Sequence, residues 1–476
     1  MSFGELFFYA IYLGAAVTLA IGAVLGFGLF LQAERSFGRA IIPTFAPLIA
    51  LGIALGTLTS GRNLTYASIS IDTINAGGEG SGGGVFLRII SFIIVGLCGA
   101  KIVGFLLSPK SGETDGKPLF LAFVSFFIAN AVLNSAFGAH PEFIHNTFYS
   151  IIVFAAVYVA RHEPLTGTIK FAKLALLAMM LLSLALAIIK PQLAIQPSYK
   201  GWIPGLSIRL WGVGSNPNSI GPLALLFLLL ENMQPSKSTW LRWIAILSAF
   251  VVFALAQSKT VWLAGMVAAA ILFWYRRGRT ASGRMDPRLV LALIALLLVG
   301  TVSLAFVDLE RIWHKITFTQ AGADIATLTG RAQIWTTAID TWKANPIFGY
   351  GPSAWGLEHR INIALPFAFS AHNQLLQSLS MAGTIGGVTL IVYLILLGAG
   401  SFRAAATTRG ISLALFATIL FRCMTEAPLT LGTILNGDFL THLILFAIVL
   451  HSSTSPKQQE ANLQRTNLKL EKAVYP

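Results

Sequence analysis

The stretch "KFAKLALLAMMLLSLALAII", residues 170–189, decides the class of fold. It is an apolar run of about the 20 residues that a bilayer-spanning helix needs. Runs of similar length recur at 11–31, 86–107 and 289–307. Because these runs are continuous and do not alternate with a period of two, we expect spanning helices rather than strands.

Composition supports the same class. The chain has 476 residues, of which 55% are hydrophobic and only 11% charged, and its mean hydropathy is +0.74. Soluble domains carry roughly 25% charged residues. Cys98 and Cys423 both lie in apolar runs, so a disulfide framework is not indicated. We predict an all-α polytopic membrane protein with about 12–13 transmembrane helices and one long external loop that contains short helices.

The basic residues predict the topology. Predicted spans occupy 6–31, 40–58, 86–107, 118–139, 143–160, 170–189, 217–231, 240–257, 260–276, 289–308, 374–398, 411–425 and 437–451. Many Lys and Arg lie between them, at 32–39, 108–117, 161–169, 232–239, 277–288 and 399–410, and in the tail from 452. By the positive-inside rule these intervals face the cytoplasm. The net charge of +14 is therefore attributed to topology and not to nucleic-acid binding.

The opposite side receives the longest polar interval, 309–373, and long loops in compact proteins are usually functional. A helix is predicted from near Arg331, capped by Thr329, to the residues before Asn345. Arg331 and Trp335 share one face of this helix. That pair suits a phosphorylated, sugar-bearing lipid, although an interfacial anchor with an ordinary surface arginine is the alternative. Gly349 and Gly351 predict a tight turn at which backbone approaches a ligand.

The stretch "AHNQLLQSLSMAGTIGG", residues 371–387, places polar side chains at the mouth of a membrane helix. His372 is the side chain best matched to accepting a proton near neutral pH, and a plain boundary residue is the alternative. Asn373 and Gln377 share a helical face suited to hydroxyl groups. The glycines that follow, Gly383, Gly386 and Gly387, indicate close helix packing.

Further cations are predicted on the same side. Arg209 precedes "WGVGSNPNSIG", and Lys259 lies in a short turn between two spans. A lysine held near membrane depth requires an anionic partner. Arg422 and Glu426 are one helical turn apart, which predicts that they pair with each other.

Taken together, these stretches resemble the O-antigen ligase and O-antigen polymerase superfamily, and its exopolysaccharide polymerases in particular. The resemblance follows an ordered set of motifs in the C-terminal half, whereas the first 200 residues match only in hydropathy. The motifs are "RLWGVGSNPNSIG" (209–221), "QSKTVWLA" (257–264), "TGRAQIW" (329–335), "PIFGYGPSAW" (346–355) and "HNQLLQ" (372–377), followed by Gly383 and Gly386.

The resemblance implies an inverting, metal-independent glycosyltransferase without a cofactor, acting on the external face of a bacterial inner membrane. Its donor would be a glycan on undecaprenyl diphosphate, and its acceptor a lipid-linked glycan or lipid A–core. Chain-length regulators and export proteins are further candidate partners. The family's catalytic histidine would be His372 and its loop arginine Arg331. Many ligases have Arg where this chain has Lys259, a difference that favours a polymerase. The predicted substrate-binding residues are Lys259, Arg209, Trp335, Gly349, Gly351, Asn373 and Gln377, and no metal ligands are predicted.

Three functions stay open at the level of sequence. A polymerase joins lipid-linked repeats, a ligase moves the finished glycan to lipid A–core or protein, and a transporter makes no bond. The absence of a convincing internal repeat argues against the transporter. The expected divisions are an N-terminal transmembrane bundle at 1–208, the ligase/polymerase-like region at 209–451 with its external loop 309–373, and a cytoplasmic polar tail at 452–476.

Overall fold

A computed structural model describes residues 3–66, 83–107, 115–199, 205–277, 331–366 and 368–453, together with Gly201 and Ile203. Helices dominate these ranges: α1 Phe3–Thr59, α2 Gly83–Leu107, α3 Lys117–Phe127, α4 Asn134–Phe137, α5 Phe148–Val159, α6 Leu165–Ile189, α7 Pro191–Ala194, α8 Pro217–Met233, α9 Thr239–Leu255, α10 Lys259–Arg277, α11 Arg331–Ala344, α12 Leu357–Asn362, α13 Gln374–Ala404, α14 Ile411–Thr425 and α15 Gly437–Ser453. A π-helical segment, Ile128–Leu133, joins α3 to α4, and 3₁₀ turns occupy Leu64–Tyr66 and His145–Thr147. Two short strands, β1 Ile195–Pro197 and β2 Ile208–Leu210, form a hairpin.

The predicted class of fold is confirmed, since the chain is an all-α polytopic membrane protein. Five helical stretches of the described residues are long and apolar enough to cross a membrane: Ile41–Thr59, Gly84–Leu107, Lys117–Phe137, Leu165–Ile189 and Gln374–Ala404. Shorter apolar helices cover His145–Val159, Thr239–Leu255, Ile411–Thr425 and Gly437–Ser453. The predicted span 289–308 lies outside the described residues.

The N-terminal region differs from the prediction. The spans predicted at 6–31 and 40–58 form one continuous helix, α1, so the basic interval 32–39 is not a loop. That interval, "QAERSFGR", contains no proline and is rich in Gln, Ala, Glu and Arg, which are strong helix formers. The interval is polar, as predicted, but its charged residues do not interrupt the helix.

The helices pack into a bundle that places α13 near its centre. α13 contacts α3, α14 and α15, while α1 packs against α2 and α6. Tyr393 of α13 and His442 of α15 are fully buried, and their Oη and Nε2 atoms lie 2.5 Å apart among phenylalanine rings. A buried polar pair of this kind satisfies both groups where no water can do so.

The hairpin is attached to the bundle by Arg62, which follows α1. Its guanidinium donates hydrogen bonds to the carbonyl oxygens of Leu193, Gly212 and Gly214, at 2.5–2.8 Å. Burial lowers the pKa of Arg62 to about 10. These contacts hold the chain that leads from the hairpin into α8. The hairpin pairs residues 195–197 with residues 208–210, so it links the two regions that were predicted to divide at 208. The division of the chain at 208 and 451 stays a prediction.

Candidate active site around Glu426

Three segments that are far apart in sequence meet at the carboxylate of Glu426. Its Oε1 accepts hydrogen bonds from Arg331 Nη2 and from Asn218 Nδ2, each at 2.9 Å. Its Oε2 lies 2.8 Å from His372 Nδ1. The structure therefore brings together the two residues predicted to be catalytic, and it does so around a carboxylate that was predicted to have another partner.

Helix ends present these side chains at one end of the bundle. Arg331 is the first residue of α11, which ends at Ala344 as predicted from Asn345-Pro346. Asn218 lies in the first turn of α8, where Pro217 occupies a position that needs no backbone donor. Glu426 follows α14 in an extended conformation, with φ −147° and ψ 177°.

The cluster lies away from the basic intervals. α8 and α13 both begin at the cluster, and they run from it towards 232–239 and 399–410 respectively. α14 begins after 399–410 and ends at the cluster. The Glu426 cluster is thus at the end of the bundle opposite to two intervals that the positive-inside rule assigns to the cytoplasm.

His372 lies in a strained turn that its neighbours hold in place. Its φ is +47°, in the left-handed region that non-glycine residues rarely adopt. Ala371 N donates to Gln377 Oε1 at 2.7 Å, and Asn373 Oδ1 caps α13 by accepting from Leu375 N and Leu376 N. Strained residues persist where their surroundings over-determine them, as is common at active sites.

The contacts of Asn373 and Gln377 give both residues a part in positioning His372. Gln377 is buried, and its Nε2 donates to Met381 Sδ at 2.9 Å. These contacts are made within the protein, so neither side chain is oriented primarily for a ligand. Their predicted binding of hydroxyl groups stays a prediction.

The contact with Glu426 assigns the protons of the His372 ring. An ionised carboxylate only accepts hydrogen bonds, so the ring donates to it from Nδ1. In the neutral ring, Nε2 is then the nitrogen that carries the lone pair. The His372 side chain is 29% exposed, which leaves it accessible from the surface. This arrangement fits a general base that is oriented by a carboxylate.

Arg209 is joined to the cluster through Asn218. Its Nη2 donates to Asn218 Oδ1 at 3.2 Å, and Ser258 Oγ donates to the same oxygen at 2.9 Å. Its guanidinium also lies over the ring of Tyr199, 4.7 Å from the centroid. Burial lowers the pKa of Arg209, against the opposing charges of Tyr199 and Glu426. Arg331 thus contacts the carboxylate directly, whereas Arg209 is linked to it through Asn218.

The predicted pairing of Arg422 with Glu426 is wrong as a hydrogen bond. Arg422 instead forms an ion pair with Asp438 of α15 and donates to Asn218 O at 2.9 Å. Glu426 has left the helix, so the one-turn spacing no longer places the two side chains together. Arg422 still acts on Glu426 through its charge. Burial raises the pKa of Glu426, but His372, Arg331 and Arg422 together bring it below its ordinary value.

Lys259 is the first residue of α10 and is exposed. The preceding residue, Ser258, is buried and is linked to the cluster by its hydrogen bond to Asn218. Gln257 is also buried, and its Nε2 donates to Ile208 O of the hairpin at 2.6 Å. The predicted contact of Lys259 with an anionic substrate stays a prediction.

The predicted glycine turn closes a break in α13. Gly383 has φ +63° and ψ −162°, so the helix is interrupted there. Tyr350 N and Gly351 N donate to Ser380 O and Met381 O before the break, at 2.9 and 3.0 Å. After the break, Thr384 N donates to Pro346 O at 2.8 Å. The "PIFGYG" motif therefore supplies partners for backbone groups that the broken helix leaves without intrahelical bonds.

The glycines are required at this junction because backbone approaches backbone. A Cβ on Gly383 would meet the carbonyl of Ile347, and one on Gly349 would come 2.5 Å from the Met381 carbonyl carbon. Gly351 faces the carbonyl of His140 in the same way. Close packing at Gly383 agrees with the prediction. The expected ligand contacts of Gly349 and Gly351 stay predictions, since both residues pack against protein.

Trp335 lies one turn after Arg331 and is half-buried. Its indole Nε1 is buried and has no hydrogen-bond partner among the described residues. A buried donor without a partner costs about 1–3 kcal/mol, so its presence beside Arg331 indicates a position that a bound acceptor group would complete. This agrees with the predicted role of Trp335 in substrate binding, which stays a prediction.

Sequence reasoning missed Asn218 and the role of Glu426. Asn218 lies inside the quoted motif "SNPNSIG", but an asparagine before an apolar run is commonly a helix cap. Glu426 directly follows an apolar span, and an ionisable residue in that position is a recognised functional signal. Its spacing from Arg422 offered a simpler explanation, which concealed the signal.

A comparison with known families matches a range of the chain that contains part of this cluster. Residues 244–391 match the family model described as O-Antigen ligase. This range includes Ser258, Arg331 and His372, whereas Asn218 and Glu426 lie outside it. The comparison with curated proteins found no match.

Proposed function

We propose that this chain is a membrane glycosyltransferase of the O-antigen ligase and polymerase superfamily. Its match to the O-Antigen ligase family model supports this assignment. It polymerises oligosaccharide repeats carried on undecaprenyl diphosphate into a surface polysaccharide, on the external face of the bacterial inner membrane. The observation that carries the proposal is the contact of His372 with Glu426 beside Arg331. A base and a cation at one point are what glycosyl transfer from a diphosphate requires.

The proton is taken by His372. A hydroxyl of the acceptor sugar attacks the anomeric carbon of the donor glycan, and its proton passes to His372 Nε2. Glu426 holds the ring through Nδ1 and stabilises the imidazolium that forms, as a carboxylate does in other oriented histidines. The new C–O bond forms as the bond to the diphosphate oxygen breaks, and direct displacement inverts the anomeric centre.

The diphosphate leaves with the bonding electron pair, so negative charge develops on its oxygens. Arg331 and Arg209 are the cations placed to receive it, and fixed charges in a partly dehydrated site act more strongly than in water. Glu426 partly neutralises Arg331 in the structure. Proton uptake by His372 strengthens the pairing of Glu426 with the ring, which releases Arg331 towards the diphosphate.

A large cavity beside the cluster suits the anionic donor. This arginine cavity has a volume of about 800 Å³ and reaches the cluster at Ser219 and Gly437, which adjoin Asn218 and Asp438. Arg88 lies on its wall, is exposed, and forms no ion pair with the described residues. None of the described residues that line it is acidic. A lipid-linked diphosphate is therefore attracted to this cavity.

A ligase is the alternative, because the matching family model is described as O-Antigen ligase. The same chemistry would then move finished glycan to lipid A–core or to a protein hydroxyl. The products separate the two functions. Loss of a polymerase leaves single repeats, whereas loss of a ligase leaves full-length chains on the carrier lipid. Transport without bond formation leaves the His372–Glu426 contact without a role and is the less supported alternative.

The decisive variant is His372→Asn, expressed in a strain that lacks the chromosomal gene. Asparagine tolerates positive φ, so the turn survives while the base is lost. We expect polysaccharide formation to fall about 10²–10⁴-fold, with normal membrane abundance and thermal stability. The matched control is His372→Ala, which also removes the base but strains the backbone. Normal polysaccharide in cells that contain folded His372→Asn protein would contradict the mechanism.

A further inference from the structure

A second cavity borders the candidate active site on its other side. This carboxylate pocket has a volume of about 450 Å³, within the range of roughly 300–1,000 Å³ for ligand sites. Its walls are the first turns of α13, the loop at 352–356 and the loop at 429–432. Its one charged lining residue among the described residues is Glu142.

The pocket shares two chain segments with the His372–Glu426 pair. Gln374 on its wall is two residues after His372, and Leu429 is three residues after Glu426. Leu429 N donates to Gln374 Oε1 at 2.7 Å, which ties these two walls together. A group bound in the pocket therefore lies beside the two segments that carry His372 and Glu426.

Two polar atoms that face the pocket have no hydrogen-bond partner in the part of the chain that the structure describes. Gln374 and Ser378 are 3% and 2% exposed, and they lie one turn apart on the same face of α13. Among the described residues, nothing forms a hydrogen bond with Gln374 Nε2 or with Ser378 Oγ. Both atoms face the open space of the pocket and are free to bond to a polar ligand there, so their position indicates a site for one.

The chemistry of the lining identifies the class of ligand. Amide, hydroxyl and carboxylate groups bind sugar hydroxyls, and no described residue of the lining is Lys, Arg or His. A diphosphate would meet only the negative charge of Glu142 there. Trp355 supplies an apolar face, and its indole Nε1 donates to Ser380 Oγ at 3.1 Å, which fixes the ring. A rigid aromatic surface with a few placed polar groups is a common design for orienting a neutral ligand.

We propose that the carboxylate pocket binds the acceptor sugar, and so places the attacking hydroxyl beside His372. This inference rests on the proposed transfer reaction. It divides the substrates by charge, with the diphosphate of the donor on the arginine side and the neutral sugar of the acceptor in the pocket. Ser378 and Gln374 bind the acceptor and Glu142 lies at the rim.

The test is binding of the phosphate-free oligosaccharide, released from the host's lipid-linked repeat, to the full chain in lipid nanodiscs. Ser378→Leu fills the pocket and removes a hydroxyl. We expect it to raise the Kd at least about tenfold, since loss of one hydrogen bond accounts for roughly that factor. The matched control is Ser125→Leu, at an exposed position of α3 away from the pocket, which should leave the Kd unchanged. Arg331→Lys should keep the Kd and lose transfer.

The outcomes separate this inference from the proposed function. An unchanged Kd in folded Ser378→Leu, or no binding by the wild-type chain, overturns the pocket assignment, while polymerisation of lipid-linked repeats would still support the function. Pocket-dependent binding without any transfer by the wild-type chain overturns the function and keeps the sugar site. If Ser378→Leu fails to fold, Thr430→Val on the opposite wall removes a hydroxyl without changing side-chain volume, and the same Kd criterion applies.

Discussion

The arginine cavity and the carboxylate pocket are lined by successive parts of one loop, which forms a wall of both. The loop that follows Glu426 lines the pocket with residues 429–432 and the cavity with residues 433–437. One side carries Arg88 and no described acidic residue, whereas the other carries Glu142 and no described basic residue. The carboxylate pocket therefore disfavours the anionic diphosphate that the arginine cavity attracts, because like charges repel each other.

Under the proposed function, the difference would let a single site distinguish two substrates that share a glycan. A lipid-linked donor and acceptor differ at the reacting point, since one presents an anomeric carbon on a diphosphate and the other a hydroxyl. Opposite electrostatics on the two sides of Glu426 would orient them oppositely. Under the proposed function, the charge pattern of the wall would then help to set the direction of transfer.

The largest expected effect compares the two carboxylates. Glu426→Gln replaces an acceptor by an amide that can donate to His372 Nδ1, which moves the ring proton to Nε2 and removes the base. We expect transfer to fall about 10²–10⁴-fold. Glu142→Gln keeps a polar group at the pocket rim, so transfer should fall less than about tenfold. Both rates are measured with purified protein and lipid-linked repeats.

Equal losses of transfer in Glu426→Gln and Glu142→Gln would contradict this comparison. The carboxylate that contacts His372 would then matter no more than the one at the pocket rim. Arg331 provides an internal check. In Glu426→Gln it loses its ion pair, and a further Arg331→Lys change should cost less than it does in the wild-type chain. Such non-additivity is expected of residues that act as one unit.

A smaller effect is expected from the break in α13, which lies just after Met381 of the pocket lining. Gly383→Ala places a side chain at φ +63° and ψ −162°, a conformation essentially confined to glycine that costs about 1–3 kcal/mol. Its Cβ would in addition overlap the backbone carbonyl of Ile347. We expect a lower midpoint of thermal unfolding and a Kd for the oligosaccharide raised up to about tenfold. Gly28→Ala in α1, where an added Cβ meets nothing within 4 Å, is the matched control, and it should leave the Kd unchanged without lowering the midpoint of unfolding. An undisturbed Kd would show that the break does not shape the pocket.

That junction also shows what the sequence could predict. Apolar runs are read locally, so the spans that fall on described residues could be placed to within a few residues. The exception is the loop predicted at 32–39, where α1 is continuous. Gly383 predicted close packing, but whether a helix breaks there depends on Pro346 and Tyr350, which bond to it from across a loop. His372 and Arg331 were predicted from residue type and motif. Their meeting at Glu426 depends on three separate segments, and no local spacing encodes it.

The smallest effect is expected at Arg88, because its charge is exposed and screened by salt. Arg88→Gln should raise the KM for lipid-linked repeats about threefold and leave kcat unchanged, since the arginine attracts the donor without touching the reacting atoms. The wild-type KM should also rise more steeply with salt than the variant's. The control is Arg403→Gln, which removes another exposed charge from the end of α13 that lies away from the Glu426 cluster. It should change neither the KM nor the kcat. A fall in kcat with an unchanged KM would place Arg88 at the reaction itself, and would make the arginine cavity part of the catalytic site instead of its approach.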